Sequence, residues 1–205
     1  MNDLGKASQE SLAKMIENTS VPFIVSNPRI HDNPIILCNK AFVELTGYNE
    51  QEILGRNCRF LSGKDTNPQH TQLIVNAVRN HEPVLVEILN YKKDGTSFQN
   101  ALMIAPIFDD GGELAYFLGS QMELTKVNNL TLSKKRKAAL ELVNSLSPQQ
   151  KRVLTRVASG YRNKQIAHAL KISESTVKKH RAEIFSKLNV TTTAESIRIA
   201  VEAGL

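Results

Sequence analysis

The sequence contains no apolar run of the ~18 residues that a membrane-spanning helix requires, which predicts a protein without a membrane partner. Its first residues, MNDLGKASQESLAKM, lack the basic stretch and apolar core that mark a signal peptide. Only two cysteines are present, with no CxxC motif and no spaced His/Cys cluster. Neither a disulfide framework nor a metal site is therefore expected, and the predicted location is cytoplasmic.

Charge is divided unevenly along the chain. Residues 1–125 hold 10 Lys+Arg against 15 Asp+Glu, whereas residues 126–205 hold 16 against 5. The two parts therefore carry net charges of −5 and +11. Because the basic part also shows helical patterning, we interpret it as a folded module that binds a polyanion, rather than as a basic tail.

Hydrophobic periodicity divides the chain into an N-terminal extension (1–17), an α+β domain (18–125), a linker helix (126–146) and an all-α domain (147–205). In the α+β domain, apolar runs predict strands at 21–25, 34–39, 83–92, 97–108 and 113–123. The last three strands are joined by KKDG and DDGG, which are tight-turn signals. The prediction is a five-stranded antiparallel sheet with helices packed on one face.

Residues 147–205 show the apolar spacing of four consecutive helices. A short second helix from Asn163, a tight turn at Lys171 and a longer basic third helix match the helix-turn-helix arrangement. The predicted phosphate contacts are Arg162, Asn163, Lys164, Arg181 and Lys187. The other predicted DNA contacts are Ser175, Thr176, Lys178, Lys179 and Ala182, on the third helix.

Residues 146–190 resemble the four-helix DNA-binding domain of LuxR-type response regulators in spacing and residue types. Gln150 stands where that family commonly has an acidic residue, and Lys171 where its turn usually has glycine. A positive φ at Lys171 would cost on the order of 1 kcal/mol. The resemblance implies double-stranded DNA as partner. It also implies that the fourth helix pairs two copies through Ile197, Val201 and Leu205. Packing within one domain is the alternative for these three residues.

The stretch GRNCRFLSG, residues 55–63, places Cys58 in a polar turn. A nucleophilic cysteine needs a lowered pKa, usually from a histidine, and no histidine of this domain lies in a recognisable pairing motif. An inert role for Cys58 stays open, and Cys38 is assigned to packing. Because no acid–base constellation is recognisable, we expect that the chain is not an enzyme.

Three amide side chains, Asn90, Asn100 and Gln121, interrupt otherwise apolar strands. Residues two positions away point to the same face and are mostly apolar, so each amide belongs to an apolar surface. Such a surface suits a flat heterocycle with alternating donors and acceptors along one edge, and a flavin ring fits. The alternative is that backbone groups satisfy all three amides.

GRNCRFL together with these amides resembles the light-oxygen-voltage (LOV) family, a flavin-binding branch of the PAS fold, over residues 18–123. The resemblance implies FMN as the cofactor. It implies that blue light causes the Cys58 thiol to add to flavin carbon C4a, while nitrogen N5 takes up a proton. Arg59 is the implied ligand of the FMN phosphate.

The LOV resemblance also assigns the contacts of the flavin ring. Asn57 is expected to bind the ring, and Asn90 and Asn100 to hold its pyrimidine edge. Gln121 is expected to face N5 and O4. When N5 changes from acceptor to donor, Gln121 must present its oxygen instead of its nitrogen, and this rotation would transmit the signal to the last strand.

Two positions depart from the LOV pattern. Ser62 stands where many members have glutamine, and Val75 where many have a second phosphate-binding arginine. Loss of one charge-assisted contact costs ~1.5–3 kcal/mol, which makes riboflavin a second candidate cofactor. Lys64 or His70 is an alternative phosphate ligand.

The same alternation gives the sheet a second apolar face, which must be covered by the 134–146 helix, by the basic domain or by a second copy. Its residues are Leu85, Leu89, Ala101, Met103, Ala105, Tyr116, Leu118 and Met122. We expect this face to cover the fourth helix of the DNA-binding domain in the dark, by an intramolecular contact. Light would release the domain to form a homodimer on DNA, and a bias of ~3 kcal/mol shifts such an equilibrium about 150-fold.

Two other functions remain open at this point. A sensor of redox state or of a small ligand, acting on the same DNA-binding domain, would not need Cys58. A constitutive regulator with a vestigial flavin pocket would bind DNA equally in darkness and light.

Overall fold

The computed structural model describes residue 10 and residues 12–17, 19–109, 111–124 and 132–205. The strands are β1 (Phe23–Ser26), β2 (Ile35–Cys38), β3 (Val84–Tyr91), β4 (Ser97–Phe108) and β5 (Leu114–Ser120). They form an antiparallel sheet in the order β2-β1-β5-β4-β3, which confirms the predicted five-stranded sheet. The sharp turn between β3 and β4 contains Gly95 at a φ of 84°, which glycine adopts without strain.

Four helices connect β2 to β3: α1 (Lys40–Thr46), α2 (Glu50–Ile53), a 3₁₀ helix (Cys58–Leu61) and α3 (Pro68–Asn80). Each begins directly after an asparagine whose side-chain oxygen accepts a backbone N–H of the first turn. These residues are Asn39, Asn49, Asn57 and Asn67. Asparagine satisfies the unpaired N–H groups of a helix start, so the sequence itself fixes where each helix begins.

Five helices follow the sheet: α4 (Leu132–Asn144), α5 (Pro148–Ala158), α6 (Asn163–Leu170), α7 (Glu174–Leu188) and α8 (Thr193–Glu202). Ser147 caps α5 in a capping box with Gln150, so this glutamine fills the role of the family's acidic residue. Lys171 ends α6 at a φ of 54°, the left-handed conformation that its position predicts. The α+β domain and the four-helix arrangement of 147–205 thus match the prediction.

One buried cluster joins the sheet to the C-terminal helices. Its sheet residues include Met103, Ala105 and Leu118, which are fully buried. Its helical residues include Ile197 and Val201 of α8, and α8 lies against β3 and β4. The second apolar face of the sheet is therefore covered by the C-terminal helices of the same chain.

The segments outside the two domains also contribute to this cluster. Residues 12–16, part of the predicted N-terminal extension, are helical, and Leu12 and Ile16 are buried. Thr19 Oγ1 donates to Glu195 Oε1 of α8 at 2.6 Å. Residues 126–131 of the predicted linker, and residue 125 before it, lie outside the described residues. Among the described helices, none is long and apolar enough to cross a membrane.

Candidate functional site

A cavity of about 620 Å³ lies between the inner face of the sheet, the 3₁₀ helix and α3. This volume is within the range of ~300–1000 Å³ that small-molecule sites occupy. Its apolar wall includes Ile24, Ile74, Val78, Ile88, Leu102, Ile104 and Phe117. Its polar lining includes Asn57, Cys58, Arg59, Asn90, Asn100 and Gln121. The six residues predicted from the sequence to bind a flavin therefore lie around a single cavity.

Cys58 enters the cavity from the first residue of the 3₁₀ helix. Burial raises the pKa of its thiol to about 12, so the sulfur keeps its proton at neutral pH. Among the described residues, no cluster of His, Cys, Asp and Glu suits a metal ion. The cavity thus presents a neutral thiol.

Gln121 follows β5 directly, and its side chain is fully buried. Its Nε2 lies 3.9 Å from Cys58 Sγ. Its Oε1 has no hydrogen-bond partner among the described residues. A buried carbonyl oxygen without a donor is costly, so this oxygen indicates a polar partner that enters the cavity.

The two asparagines form a chain of hydrogen bonds across the sheet. The N–H of Met122 donates to Asn100 Oδ1 at 3.0 Å, and Asn100 Nδ2 donates to Asn90 Oδ1 at 2.9 Å. Asn90 Nδ2 donates in turn to the carbonyl of Leu61, at the end of the 3₁₀ helix, at 3.2 Å. Asn90 and Asn100 are therefore partly satisfied by protein groups, in contrast to the oxygen of Gln121.

The structure gives Asn57 a different role from the predicted ring contact. Its Oδ1 accepts the N–H of Arg59, and its Nδ2 donates to the carbonyl of Asp32 at 2.6 Å. Asp32 has a φ of 69°, an uncommon conformation for a residue with a side chain. Asn57 lines the cavity, but its amide holds this strained loop and the start of the 3₁₀ helix.

The cavity mouth is rich in arginine. Arg59, the predicted phosphate ligand, donates from Nη1 to both carboxylate oxygens of Asp32, at 2.6 and 2.8 Å. Arg79, one turn after Val75 on α3, also lines the cavity. The alternatives Lys64 and His70 are not among its lining residues, whereas Arg29 and His31 are. The positive charge at the mouth thus comes from the predicted Arg59 and from Arg29 and Arg79, which the sequence did not suggest.

The third helix of the all-α domain, α7, presents a basic surface. Ser175, Lys178, Lys179 and Ala182 are exposed, as are Arg162, Lys164 and Lys187 nearby. Thr176 is half-buried, and its Oγ1 lies 2.8 Å from the Oγ of the cap residue Ser173. Two lysines and an alanine on one exposed helix face are compatible with entry into a major groove.

Arg181 is placed differently from the prediction of a phosphate contact. Its guanidinium donates to Asn163 Oδ1 and to Thr193 Oγ1, each at 2.8 Å, and its burial lowers its pKa. It thereby joins the starts of α6 and α8. Asn163 is half-buried and accepts this bond, so both residues hold the domain together in this structure.

The predicted dimerisation residues are not available on the surface. Ile197 and Val201 are buried, and Leu205 is half-buried against the same cluster. Further contacts hold the domains together: Phe108 N–H donates to the Gly160 carbonyl at 3.4 Å. A Cβ on Gly160 would lie 2.5 Å from the Pro106 carbonyl oxygen, so only glycine permits this approach.

Comparison with known proteins agrees with this geometry. Residues 20–126 match the PAS domain family, and residues 144–200 match the family of bacterial regulatory proteins of the luxR type. A blue-light-activated histidine kinase of Brucella anthropi is 41% identical over 145 residues, covering 70% of this chain and 30% of that protein. A Brucella canis protein of the same name is 38% identical with the same coverage. The chain thus spans less than a third of the length of these curated relatives.

Solved structures give the same result for the sensor domain. The light-state LOV domain of the blue-light photoreceptor Aureochrome1 aligns with a TM-score of 0.51 and 35% identity, over 62% of this chain and 92% of that one. The LOV domain of a blue-light activated histidine kinase from Erythrobacter litoralis aligns with a TM-score of 0.51 and 35% identity, over 53% and 100%. The chain therefore belongs to the LOV family of PAS domains, joined to a LuxR-type helix-turn-helix DNA-binding domain.

Proposed function

We propose that this chain is a blue-light-regulated transcription regulator that holds FMN in the cavity of its sensor domain. The observation that carries the proposal is that one cavity contains both the Cys58 thiol and the Gln121 oxygen, which has no partner among the described residues. The cavity lies against the sheet whose other face covers α8. The names of the relatives, which are blue-light receptors, support this reading.

The cavity residues fit a flavin. Apolar side chains provide the walls for a flat ring, and Asn90, Asn100 and Gln121 lie along one side with donors and acceptors. The Gln121 oxygen still needs a donor, and the two asparagines have hydrogen-bonding capacity beyond their mutual bond. We infer that Asn90 and Asn100 hold the pyrimidine edge and that Gln121 lies beside N5 and O4.

Bound flavin would supply the absorption of blue light and an electrophilic carbon, C4a. Cys58 would then deliver its sulfur to C4a and its proton to N5, so that atoms and charge balance. The raised pKa of the thiol supports this step, since the proton is in place at neutral pH. Protonation of N5 would turn a hydrogen-bond acceptor into a donor.

Gln121 would respond by rotating its amide. In darkness its Nε2 lies toward Cys58 and can donate to N5; after illumination its Oε1 would accept from N5. Because Gln121 follows β5 directly, its rotation acts on a strand whose residue Leu118 packs in the cluster shared with α8. We infer that the sheet then releases α8.

Release would expose Ile197, Val201 and Leu205 for pairing with a second copy on double-stranded DNA. The burial of these residues supports a dark state in which dimerisation is blocked by the chain itself. Among relatives, the LOV receptor Vivid has a solved light-state dimer. Lys178 and Lys179 would face the major groove, while Arg162, Lys164 and Lys187 would contact phosphates. The proposed activity is regulatory and not enzymatic.

FMN is favoured over riboflavin by the positive charge at the cavity mouth. Arg59, Arg79 and Arg29 lie there, although Arg59 and Arg29 already pair with Asp32 and Asp109. A phosphate at this mouth would compete with Asp32 for Arg59. Arg79, which has no ion pair among the described residues, is the proposed second phosphate ligand in place of an arginine at Val75.

The test compares purified protein in darkness and under blue light. Absorption follows the flavin, and DNA affinity and molecular mass follow the output. We expect reversible bleaching together with dimerisation and tighter DNA binding. Cys58→Ala should abolish all three changes, whereas Cys38→Ala, a change at the other half-buried cysteine, should retain them. Equal DNA binding in darkness and light would contradict the proposal.

A redox- or ligand-sensing regulator is the second candidate, because the cavity of about 620 Å³ could hold a flavin or a ligand of similar size whether or not Cys58 reacts. The same experiment separates the two. A regulator of this kind would change its DNA affinity on chemical reduction of the flavin or on ligand addition, and Cys58→Ala would leave that response intact.

A further inference from the structure

The three residues around the end of β5 point alternately to the two faces of the sheet. Gln121 lines the cavity, whereas Ser120 and Met122 contact helices on the opposite face. The Ser120 hydroxyl accepts a hydrogen bond from the guanidinium of Arg198 in α8. The Met122 sulfur contacts the ammonium of Lys135 in α4. The residue beside the thiol is therefore flanked on both sides by contacts to the output helices.

Arg198 is a charged residue buried in the interface between the domains. Only 3% of its surface is exposed, and Ser120 is completely buried. Glu202, one turn further along α8, places Oε1 2.7 Å from Arg198 Nε. Among the described residues, however, neither Nε nor Nη2 has an aligned hydrogen-bond acceptor. The Ser120 hydroxyl is thus the acceptor that the sheet provides for this guanidinium, while Glu202 of its own helix pairs with its charge.

The balance of charge around Arg198 is incomplete. Arg198 and the half-buried Lys135 both lie near the single carboxylate of Glu202, and burial lowers the pKa of each of the two cations. An arginine cannot relieve its burial by losing its proton under ordinary conditions. The interface therefore contains a buried positive charge that the carboxylate of Glu202 only partly compensates.

We propose that Arg198 is the positioning residue that makes docking of α8 on the sheet conditional on the geometry of β5. The proposal rests on the proposed light-regulated function and adds the residue that carries the signal across the interface. Apolar residues such as Leu118 and Ile197 pack almost equally well after a small displacement of the strand. A buried guanidinium does not tolerate the loss of its aligned acceptor.

Ser120 precedes Gln121, so rotation of the Gln121 amide displaces the Ser120 hydroxyl through one peptide unit. Arg198 then remains buried against the sheet with Glu202 of its own helix as partner and no acceptor on β5, and undocking into water becomes the favourable outcome. In this mechanism the arginine does not hold the domains together. It makes their contact sensitive to the position of the Ser120 hydroxyl on β5.

Two variants distinguish this mechanism from a simple stabilising contact. Ser120→Ala removes the acceptor and keeps the buried charge, so it should undock α8 in darkness and raise dark DNA affinity by about tenfold or more. The double variant Arg198→Met/Glu202→Gln removes the buried charge together with its carboxylate partner, so α8 should stay docked even under blue light. A simple contact would give both variants the same effect, since either change removes the same bond.

The experiment measures each full-length variant in darkness and under blue light. The DNA probe is a duplex selected from a random pool by illuminated wild-type protein. Hydrogen exchange of the α8 and β4 backbone amides reports docking without DNA, which separates undocking from a defect in dimer pairing. Ser196→Ala is the matched control, because this buried hydroxyl of α8 bonds within its own helix, to the Thr193 carbonyl.

The outcomes are distinct. Opposite effects of Ser120→Ala and of the double variant Arg198→Met/Glu202→Gln, with normal flavin bleaching in both and wild-type switching in Ser196→Ala, support the role of Arg198. Effects in the same direction, or no effect of either variant, overturn it. If the wild type bleaches but shows no light dependence of DNA binding, the proposed function itself fails.

Discussion

Nε2 of Gln121 lies 3.9 Å from the sulfur of Cys58, and the two residues come from opposite walls of the cavity, 63 positions apart in the chain. The thiol is buried and protonated, while the amide has an oxygen without a partner among the described residues. One side chain is suited to reaction and the other to a change of hydrogen bonding, so their roles should be separable by mutation.

The first prediction concerns Gln121→Leu. This change keeps the volume of the side chain and removes the amide, so Cys58 should still bleach the flavin on illumination. The light-induced gain in DNA affinity, expected within the ~5- to 150-fold that allosteric coupling usually provides, should fall to near unity. Absorption and DNA binding are measured on the same sample. A full DNA response without the amide would show that Gln121 is not the relay.

The second prediction concerns pH. Because burial raises the pKa of Cys58 to about 12, its thiol is protonated both at pH ~6 and at pH ~9. The yield of flavin bleaching per absorbed photon should therefore be flat across this interval. A thiol with the ordinary pKa of 9.0 would instead lose its proton near pH ~9, and the bleaching yield would change steeply there. Single-flash absorption at several pH values checks this.

The third prediction concerns the cofactor phosphate. Val75→Arg places a second cation on the cavity side of α3, which should tighten FMN binding by ~10-fold or more and leave riboflavin binding unchanged. Leu73→Arg is the control, because Leu73 lies on the same helix, is exposed, and is not a lining residue. Fluorescence titration of flavin-free protein measures both affinities. Equal gains for FMN and riboflavin would place the phosphate elsewhere.

The fourth prediction concerns DNA recognition. Lys164→Ala should weaken binding to all duplexes alike and reduce the slope of log affinity against log salt by ~1, as expected for a phosphate contact. Lys178→Ala should also relax sequence preference at one position, by ~1–3 kcal/mol. Binding of illuminated protein to matched and mismatched duplexes measures both effects. Lys40→Ala, an exposed lysine of the sensor domain, should change neither quantity.

The fifth prediction concerns the turn between α6 and α7. Lys171 has a φ of 54°, which strains a residue with a Cβ, so Lys171→Gly should raise the free energy of unfolding by about 1 kcal/mol. Asn189 has nearly the same conformation, at a φ of 52°, but asparagine tolerates it, so Asn189→Gly should gain less. Urea unfolding of both variants in darkness provides the comparison. Equal gains would mean that Lys171 is not strained.

Local patterns in the sequence were sufficient to predict most of the elements. Helix α3 begins at Pro68, where a proline preceded by the capping Asn67 gives a local signal of a helix start. The last strand is shorter than the predicted 113–123: it ends at Ser120, although Asn100 and Glu123 still pair as an isolated bridge. Strand ends depend on neighbouring strands and are less visible in a local pattern.

Contacts between distant residues could not be predicted in this way. Arg181 reads in the sequence as one more exposed cation, and its burial depends on Asn163 and Thr193, which belong to other helices. The burial of Arg198 could not be predicted from the apolar stripe of α8, because its partner Ser120 lies 78 positions away in the chain. In both cases the residue type was visible and its partner was not.

The buried cluster shared by the two domains has a consequence for how the molecule would behave in a cell. If the proposed dimer pairs through Ile197 and Val201, which the sheet covers in this structure, docking and pairing exclude one another. Re-docking depends on one molecule, whereas pairing depends on two, so their competition is decided by protein abundance. At low copy number an undocked chain would dock again before it met a second copy. The same flash of light would then activate transcription control in a cell that contains many copies of the protein and have no effect in a cell that contains few.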